Sequence, residues 1–167
     1  MFPNREGQRV PEVRFRVRVG GSWKDVTTAD LFAGKSVVLF SLPGAFTPTC
    51  SEIHLPGYIA KAKELRAAGV EAIACLSVND PYVMAAWGEA TGATGKVDLL
   101  ADANGELARA LGLEVDLAAS GLGRRCRRFA AVVDDGVFIM LAVEPARGVT
   151  VCGAEHLLEA LGESTSA

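Results

Sequence analysis

The stretch KSVVLFSLPGAFTPTCSEIH, Lys35 to His54, decides the fold. Its first eight residues, 35–42, form a continuous apolar run without polar alternation. Such a run reads as a strand buried on both faces. Thr47-Pro48 then reads as a helix start. Thr47 sits at the N-cap and Pro48 at the first helical position, where its missing N–H costs nothing. The helix is expected to run from about Pro48 to Ala68, with a kink or break near Pro56-Gly57. Cys50 falls in its first turn. Its residue type alone leaves three readings open: a small core residue, a metal ligand or a nucleophile.

Upstream, EVRFRVRVGGSWKDVTT alternates strictly. Val13, Phe15, Val17 and Val19 point one way and Arg14, Arg16 and Arg18 the other. With Gly20-Gly21 this predicts a β-hairpin with one wet, basic face. Downstream come a buried strand over 70–78, a helix from Pro81 to about Thr91, a short strand over 96–102 and a helix over about 104–111. RRFAAVVDDGVFIMLAVE reads as two strands around the Asp135-Gly136 turn, followed by a last helix over about 154–161. The order implies an α/β sandwich, a central mixed sheet with helices on both faces. The β-α-β start and the closing hairpin plus helix suit a thioredoxin-like arrangement. No glycine-rich dinucleotide fingerprint follows the first buried strand.

At 167 residues, half of them hydrophobic, the chain suits one domain over 1–167 with a sizeable core. No apolar run approaches the ~20 residues that cross a bilayer. The N-terminal MFPNREGQRVPEVRF has no apolar signal core, so a cytoplasmic protein is expected. The net charge of −3 gives no support to nucleic-acid or membrane-surface binding. The four cysteines, Cys50, Cys75, Cys126 and Cys152, are then expected to be thiols or redox groups rather than a disulfide framework.

The setting of Cys50 favours chemistry. Unpaired N–H groups of a first helical turn and the positive end of the helix dipole both stabilise a thiolate. The Thr47 hydroxyl, one turn back, is placed to bond a backbone N–H, the sulfur or a bound oxygen. Pro43 closes the loop without adding a donor. A thiolate attacking a peroxide needs fixed donors aimed at the departing oxygen. Arginine suits that task because it stays charged and holds its donors in a rigid fork. Arg128, at the start of a late strand, is the best placed, but spacing does not separate it from Arg124, Arg125 or Arg127.

Pro43, Thr47 and Cys50 in PGAFTPTC match the P-x-x-x-T-x-x-C pattern of the peroxiredoxins. LPGAFTPTCSEIHLPGY, ACLSVNDPYVMAAW and RRFAAVVDDGV followed by LAVEP resemble the type-5 members, in order, over about residues 10–162. The resemblance implies a thioredoxin-fold, thiol-dependent peroxidase acting on hydrogen peroxide and organic hydroperoxides, in antioxidant defence and redox homeostasis. It implies that Cys50 is the peroxidatic cysteine, oxidised to a sulfenic acid. Thr47 and Arg128 bind and polarise the peroxide, and Pro43 shields the site. It further implies no metal, haem or flavin, a homodimer packed near the active-site loops, and a thiol reductant (glutathione with glutaredoxin, or thioredoxin). Cys152 resembles the resolving cysteine of mammalian members, and Cys75 matches a second functional cysteine of some plant members. An external thiol is the remaining alternative for resolving the sulfenic acid.

Other readings stand beside this one. Cys50/His54 and Cys152/His156 are each four apart, which gives a nominal Cys₂His₂ zinc set and, with it, a zinc-stabilised thioredoxin-like binding module. His54 otherwise reads as a packing or hydrogen-bonding residue. A peroxide sensor would use the same Cys50 chemistry without multiple turnover. Cys75 has a core default. Cys126, in RRCRR, would share a face with Arg128 if one strand covered both.

Overall fold

The structure, a computed structural model, describes residues 4–165. Met1–Pro3 and Ser166–Ala167 lie outside the described residues, as do the side chains of Val19, Ser164 and Thr165. The N-terminal hairpin forms as expected. β1 (Arg14–Val19) pairs antiparallel with β2 (Ser22–Thr27), Arg14 opposite Thr27 and Val19 opposite Ser22. Gly20 and Gly21 take φ of 57° and 83°, the left-handed values that a two-residue hairpin turn needs. Phe15 is buried, while Arg14, Arg16 and Arg18 are exposed. The hairpin is a sheet of its own, not part of the central one. A short helix, α1 (Thr28–Phe32), follows it. Its signal was available in TTADLF: Thr27 and Asp30 bond reciprocally as a capping box.

β3 (Ser36–Ser41) is the apolar strand of the opening stretch. The chain then enters a π-turn over Cys50–His54 and α2 (Leu55–Ala67). β4 (Ala72–Ser77) leads to α3 (Pro81–Thr91), capped by the Asp80 carboxylate on Val83 N–H and stopped by Gly92. β5 (Asp98–Ala101) and α4 (Glu106–Ala110) come next. β6 (Glu114–Leu117) and β7 (Gly123–Cys126) form a second small hairpin that the apolar pattern does not reveal. β8 (Phe129–Asp134) and β9 (Val137–Val143) are the predicted closing hairpin, and α5 (Ala154–Thr165) ends the described chain.

The central sheet has the order β5-β4-β3-β8-β9. β3–β4 and β4–β5 are parallel, while β3–β8 and β8–β9 are antiparallel. This mixed sheet between two helical layers is the thioredoxin-like architecture expected. Alternate residues feed two cores. Val38, Phe40, Ile73, Cys75 and Ala130 face α2, α3 and α5. Val37, Leu39, Ala74, Leu76 and Ala131 face the N-terminal hairpin, α1 and α4. Phe40 is fully buried, and its ring stacks on Tyr58 at 3.8 Å between centroids. The free edge of β9 is partly covered, as Gly7 N–H donates to Phe138 O and Phe138 N–H to Gln8 O.

Two expectations need correction. Pro56 does not break the helix. Leu55 N–H reaches back to Cys50 O, and this wider π-turn passes directly into α2, whose first turn holds the proline, where a missing N–H costs nothing. Cys126 and Arg128 do not share one strand. Cys126 ends β7 and packs on the hairpin side of the sheet, whereas Arg128 precedes β8 and reaches the other side.

The Asp135-Gly136 turn ties β8 and β9 to the rest. Asp135 has φ 48° and accepts Gly34 N–H at 2.7 Å. Asp135→Ala removes that acceptor and leaves a residue that tolerates positive φ poorly, so urea unfolding is expected to show a loss of about 1–2 kcal/mol. Asp135→Asn is expected to stay within about 0.5 kcal/mol of the unmodified protein.

Candidate active site around Cys50

Strand pairing brings the site together. β8 runs antiparallel to β3 with Phe129 opposite Ser41, so the residue before β8 lies beside the loop that leaves β3. That residue is Arg128, and the loop carries Pro43, Thr47 and Cys50. Arg128 Nη2 lies 3.3 Å from Cys50 Sγ. The other candidate arginines are engaged elsewhere. Arg124 pairs with Glu114 at 2.9 Å, and Arg127 is held by its main chain to Leu113 and Ser41. Arg125 Nε donates to Leu122 O and its Nη1 to Pro43 O, which pins the start of the loop. A Cβ on Gly44 would lie 3.0 Å from that Nη1 and 3.2 Å from Thr47 Cγ2, so both side chains would have to give way by a few tenths of an ångström.

Thr47 starts the helix differently from the simple cap. Its carbonyl accepts Ser51 N–H, but its hydroxyl donates to Gly44 O at 2.7 Å instead of accepting a backbone N–H. The hydroxyl oxygen keeps acceptor capacity for a further partner. Phe46, just before it, holds φ 63° with its ring exposed, a strained position for a non-glycine residue. Ala45 N–H is fixed by Asn79 Oδ1 at 3.0 Å, and Trp87 Nε1 donates to Ser51 Oγ. Cys50 itself is buried, 1 % exposed.

His54 stands behind Arg128. Arg128 Nη1 lies 2.7 Å from His54 Nδ1, and His54 Nε2 lies 2.9 Å from Cys152 O. A guanidinium only donates and a carbonyl only accepts, so these partners fix the Nε2–H tautomer. The ring must be neutral to accept from Arg128. Burial, and then the Arg128 charge, push His54 down from 6.5 to about 3. Tyr58 donates to the same Cys152 carbonyl at 2.7 Å, and burial pushes its hydroxyl up. His54 is thus the hydrogen-bonding residue expected, but with a specific task, holding the arginine at the sulfur. The available signal was its place four residues after Cys50.

The three other cysteines are unpaired and buried. Cys75, on β4 beside Phe40, joins the same core as Cys50, and burial and then Cys50 push its thiol up. Cys152 Sγ lies 3.3 Å from Ala142 O and 3.7 Å from Arg128 O, and burial followed by Glu144 raises its pKa. Cys126 is pushed up to about 12, chiefly by burial. The proposed zinc set does not assemble. Both His54 nitrogens are already bonded, and no group of three or more His, Cys, Asp or Glu able to hold a metal occurs among the described residues. No helix is long and apolar enough to cross a membrane among those residues.

A thioredoxin-like sheet with a buried cysteine under a guanidinium at a helix start is the arrangement expected of a redoxin-class protein. Comparison with known proteins agrees. Residues 5–158 match the redoxin family. Peroxiredoxin-2E-2, chloroplastic, of Oryza sativa is 55 % identical over 84 % of this chain and 64 % of its own length. The chain therefore spans under two thirds of that relative. The crystal structure of reduced Prx3 in complex with hydrogen peroxide from Vibrio vulnificus is 46 % identical, covering 97 % of this chain and 98 % of that one, with a TM-score of 0.91. Peroxiredoxin 5 from Alvinella pompejana is 34 % identical over 96 % and 99 % of the two chains, TM-score 0.85. The chain belongs to the peroxiredoxins and is type-5-like.

The low His54 value gives a testable pH dependence. The folded state excludes a proton that the unfolded chain takes up below pH 6.5. Stability is therefore full above 6.5 and lost as pH falls toward 3, about 2 kcal/mol of it between pH 7 and 5. In urea unfolding at those two pH values, His54→Gln is expected to lose markedly less stability than the unmodified protein. Equal losses would exclude a buried neutral His54.

Proposed function

We propose that the protein is a thiol-dependent peroxidase that reduces hydrogen peroxide and organic hydroperoxides through Cys50. The observation that carries this reading is the 3.3 Å contact of Arg128 Nη2 with Cys50 Sγ, made by an arginine whose other Nη is tied to a neutral histidine. A fixed cation beside the sulfur is already in place to meet the charge that builds on the oxygen that leaves. The Thr47 hydroxyl already donates to Gly44 O, so its oxygen accepts a hydrogen bond from the peroxide O–H and sets the O–O axis. Pro43, half-buried at the loop start, keeps water from the sulfur. The thiolate attacks one peroxide oxygen, the O–O bond breaks, and the departing alkoxide or hydroxide takes a proton. Cys50 is left as a sulfenic acid.

The crystal complex of the Vibrio vulnificus relative with hydrogen peroxide supports the substrate class. In our reading a thiol reductant, glutathione with glutaredoxin or thioredoxin, returns Cys50 to the thiol. Cys152 is the first candidate to resolve the sulfenic acid, and Cys75 or an external thiol the second. Four unpaired cysteines support a reducing compartment, which we take to be the cytoplasm. The exposed Phe46 and Ile53, on either side of Cys50, support a homodimer that packs there.

Stopped-flow peroxide consumption with a thiol donor tests the reading. Cys50→Ser is expected to leave no turnover above the uncatalysed rate while keeping its fold by circular dichroism. Arg128→Ala is expected to lower the second-order rate constant by about 10²–10³-fold. Retained turnover in Cys50→Ser would overturn the assignment.

A further inference from the structure

Residues 144–152 belong to no helix or strand, yet one side chain organises them. Glu144, 6 % exposed, accepts four hydrogen bonds from the far end of the segment. Its Oε1 takes Thr150 N–H at 2.9 Å and the Thr150 hydroxyl. Its Oε2 takes Val151 N–H at 3.1 Å and Cys152 N–H at 3.2 Å. Glu144 is anchored in turn, because its own N–H donates to Arg128 O at 2.9 Å. Both carboxylate oxygens thus face donors only, which is what an ionised acid accepts. Burial alone would raise its pKa, but these bonds hold it below the ordinary glutamate value.

The segment so held ends on Cys152, which has two engagements. Its carbonyl is the acceptor that aims His54 and Tyr58, and through His54 it aims Arg128 at Cys50. Its thiol lies on the Ala142 and Arg128 carbonyls. While the carboxylate keeps its four partners, the arginine is set for peroxide attack and the second thiol is withheld. The two conditions suit different steps of one cycle.

We propose that Glu144 is a latch that positions Arg128 for peroxide reduction while the loop is bonded and, once released, delivers Cys152 to the Cys50 sulfenic acid. This rests on Cys50 being the peroxide-reactive thiol. In the delivery step Cys152 gives up its proton and its sulfur attacks the sulfenic sulfur. The S–S bond forms as the S–O bond breaks, and hydroxide leaves with the proton as water. Cys152 is oxidised, the Cys50 sulfenic acid is reduced, and a thiol reductant later reduces the disulfide. Toward Cys50 and the peroxide Glu144 is a positioning residue, acting only through the Cys152 carbonyl, His54 and Arg128, while toward Cys152 its carboxylate also faces the thiol itself and helps it keep its proton.

Glu144→Gln tests the latch. The amide puts an NH₂ donor against the Val151 and Cys152 N–H groups in one rotamer, losing both bonds, and against the Thr150 N–H in the other, losing that bond while the Thr150 hydroxyl turns to accept. Site-resolved mass spectrometry of iodoacetamide labelling on the reduced protein is expected to show Cys152 reacting about tenfold faster in the variant, with Cys75 and Cys126 unchanged. Unchanged Cys152 labelling, or equal acceleration of all three thiols, would overturn the proposal. After one equivalent of hydrogen peroxide, the variant is expected to oxidise Cys50 more slowly but to form the Cys50–Cys152 disulfide faster. Shifts of the same sign in both steps, or no such disulfide in either protein, overturn it as well. Thr150→Val, which removes only the hydroxyl bond, is expected to move both steps in the same senses by less. The labelling arm uses no peroxide, so a failure of the peroxidase reading appears separately, as unmodified protein whose Cys50 is not oxidised.

Discussion

The 2.7 Å hydrogen bond from Arg128 to His54 is the contact on which the site depends. It joins a permanent cation to an imidazole that must stay neutral, inside an apolar core. Burial works in its favour, because the same desolvation that would penalise an unpaired polar group keeps the proton off the ring. The other ring nitrogen is satisfied by the Cys152 carbonyl, and that carbonyl is shared with Tyr58. No member of the network is left with a missing partner, the condition under which buried polar groups are tolerated. Among the described residues, the one buried side-chain polar atom without a partner is Arg5 Nε, in the N-terminal stretch.

The network is also entirely long-range. Arg128 is 74 residues from His54 and 78 from Cys50, and Cys152 is 98 from His54. Each of these contacts joins segments that the central sheet brings together. The antiparallel addition of β8 to β3 is the step that sets Arg128 beside the loop after Ser41. The reactive geometry is a product of sheet topology, and the local helix start supplies only the cysteine. A loop closed by Arg125 on Pro43 and by Asn79 on Ala45 then holds its shape without regular structure.

Much of this is legible in the chain, for identifiable reasons. β3 and β4 show as continuous apolar runs because both faces are covered. The ends of α3 are marked by Asp80-Pro81 and Gly92, and the closing hairpin by Asp135-Gly136. Pro43, Thr47 and Cys50 stand in one short motif. β6 and β7 escape because EVDL alternates over only four residues and its partner GRRC, with two adjacent arginines, does not alternate at all. His54 reads only as a packing or hydrogen-bonding residue, with no task at the sulfur, because the partner that gives it one lies 74 residues away. Glu144 escapes for a stronger reason. Three of its four donors are backbone N–H groups, which every residue except proline has, so no side-chain pattern announces them.

The π-turn over Cys50–His54 has a consequence for spacing. It holds one residue more than an α-turn, and each helical residue turns the chain by about 100°. The helix therefore runs in two phases. Before the extra residue it presents Cys50 to Arg128, and after it the Tyr58, Ala62 and Leu65 stripe meets the sheet. Removing a single residue from this turn would merge the phases and rotate either the sulfur or the stripe out of place. The count of residues from Cys50 to Tyr58 is therefore set by the two directions the helix must face, not by either residue alone.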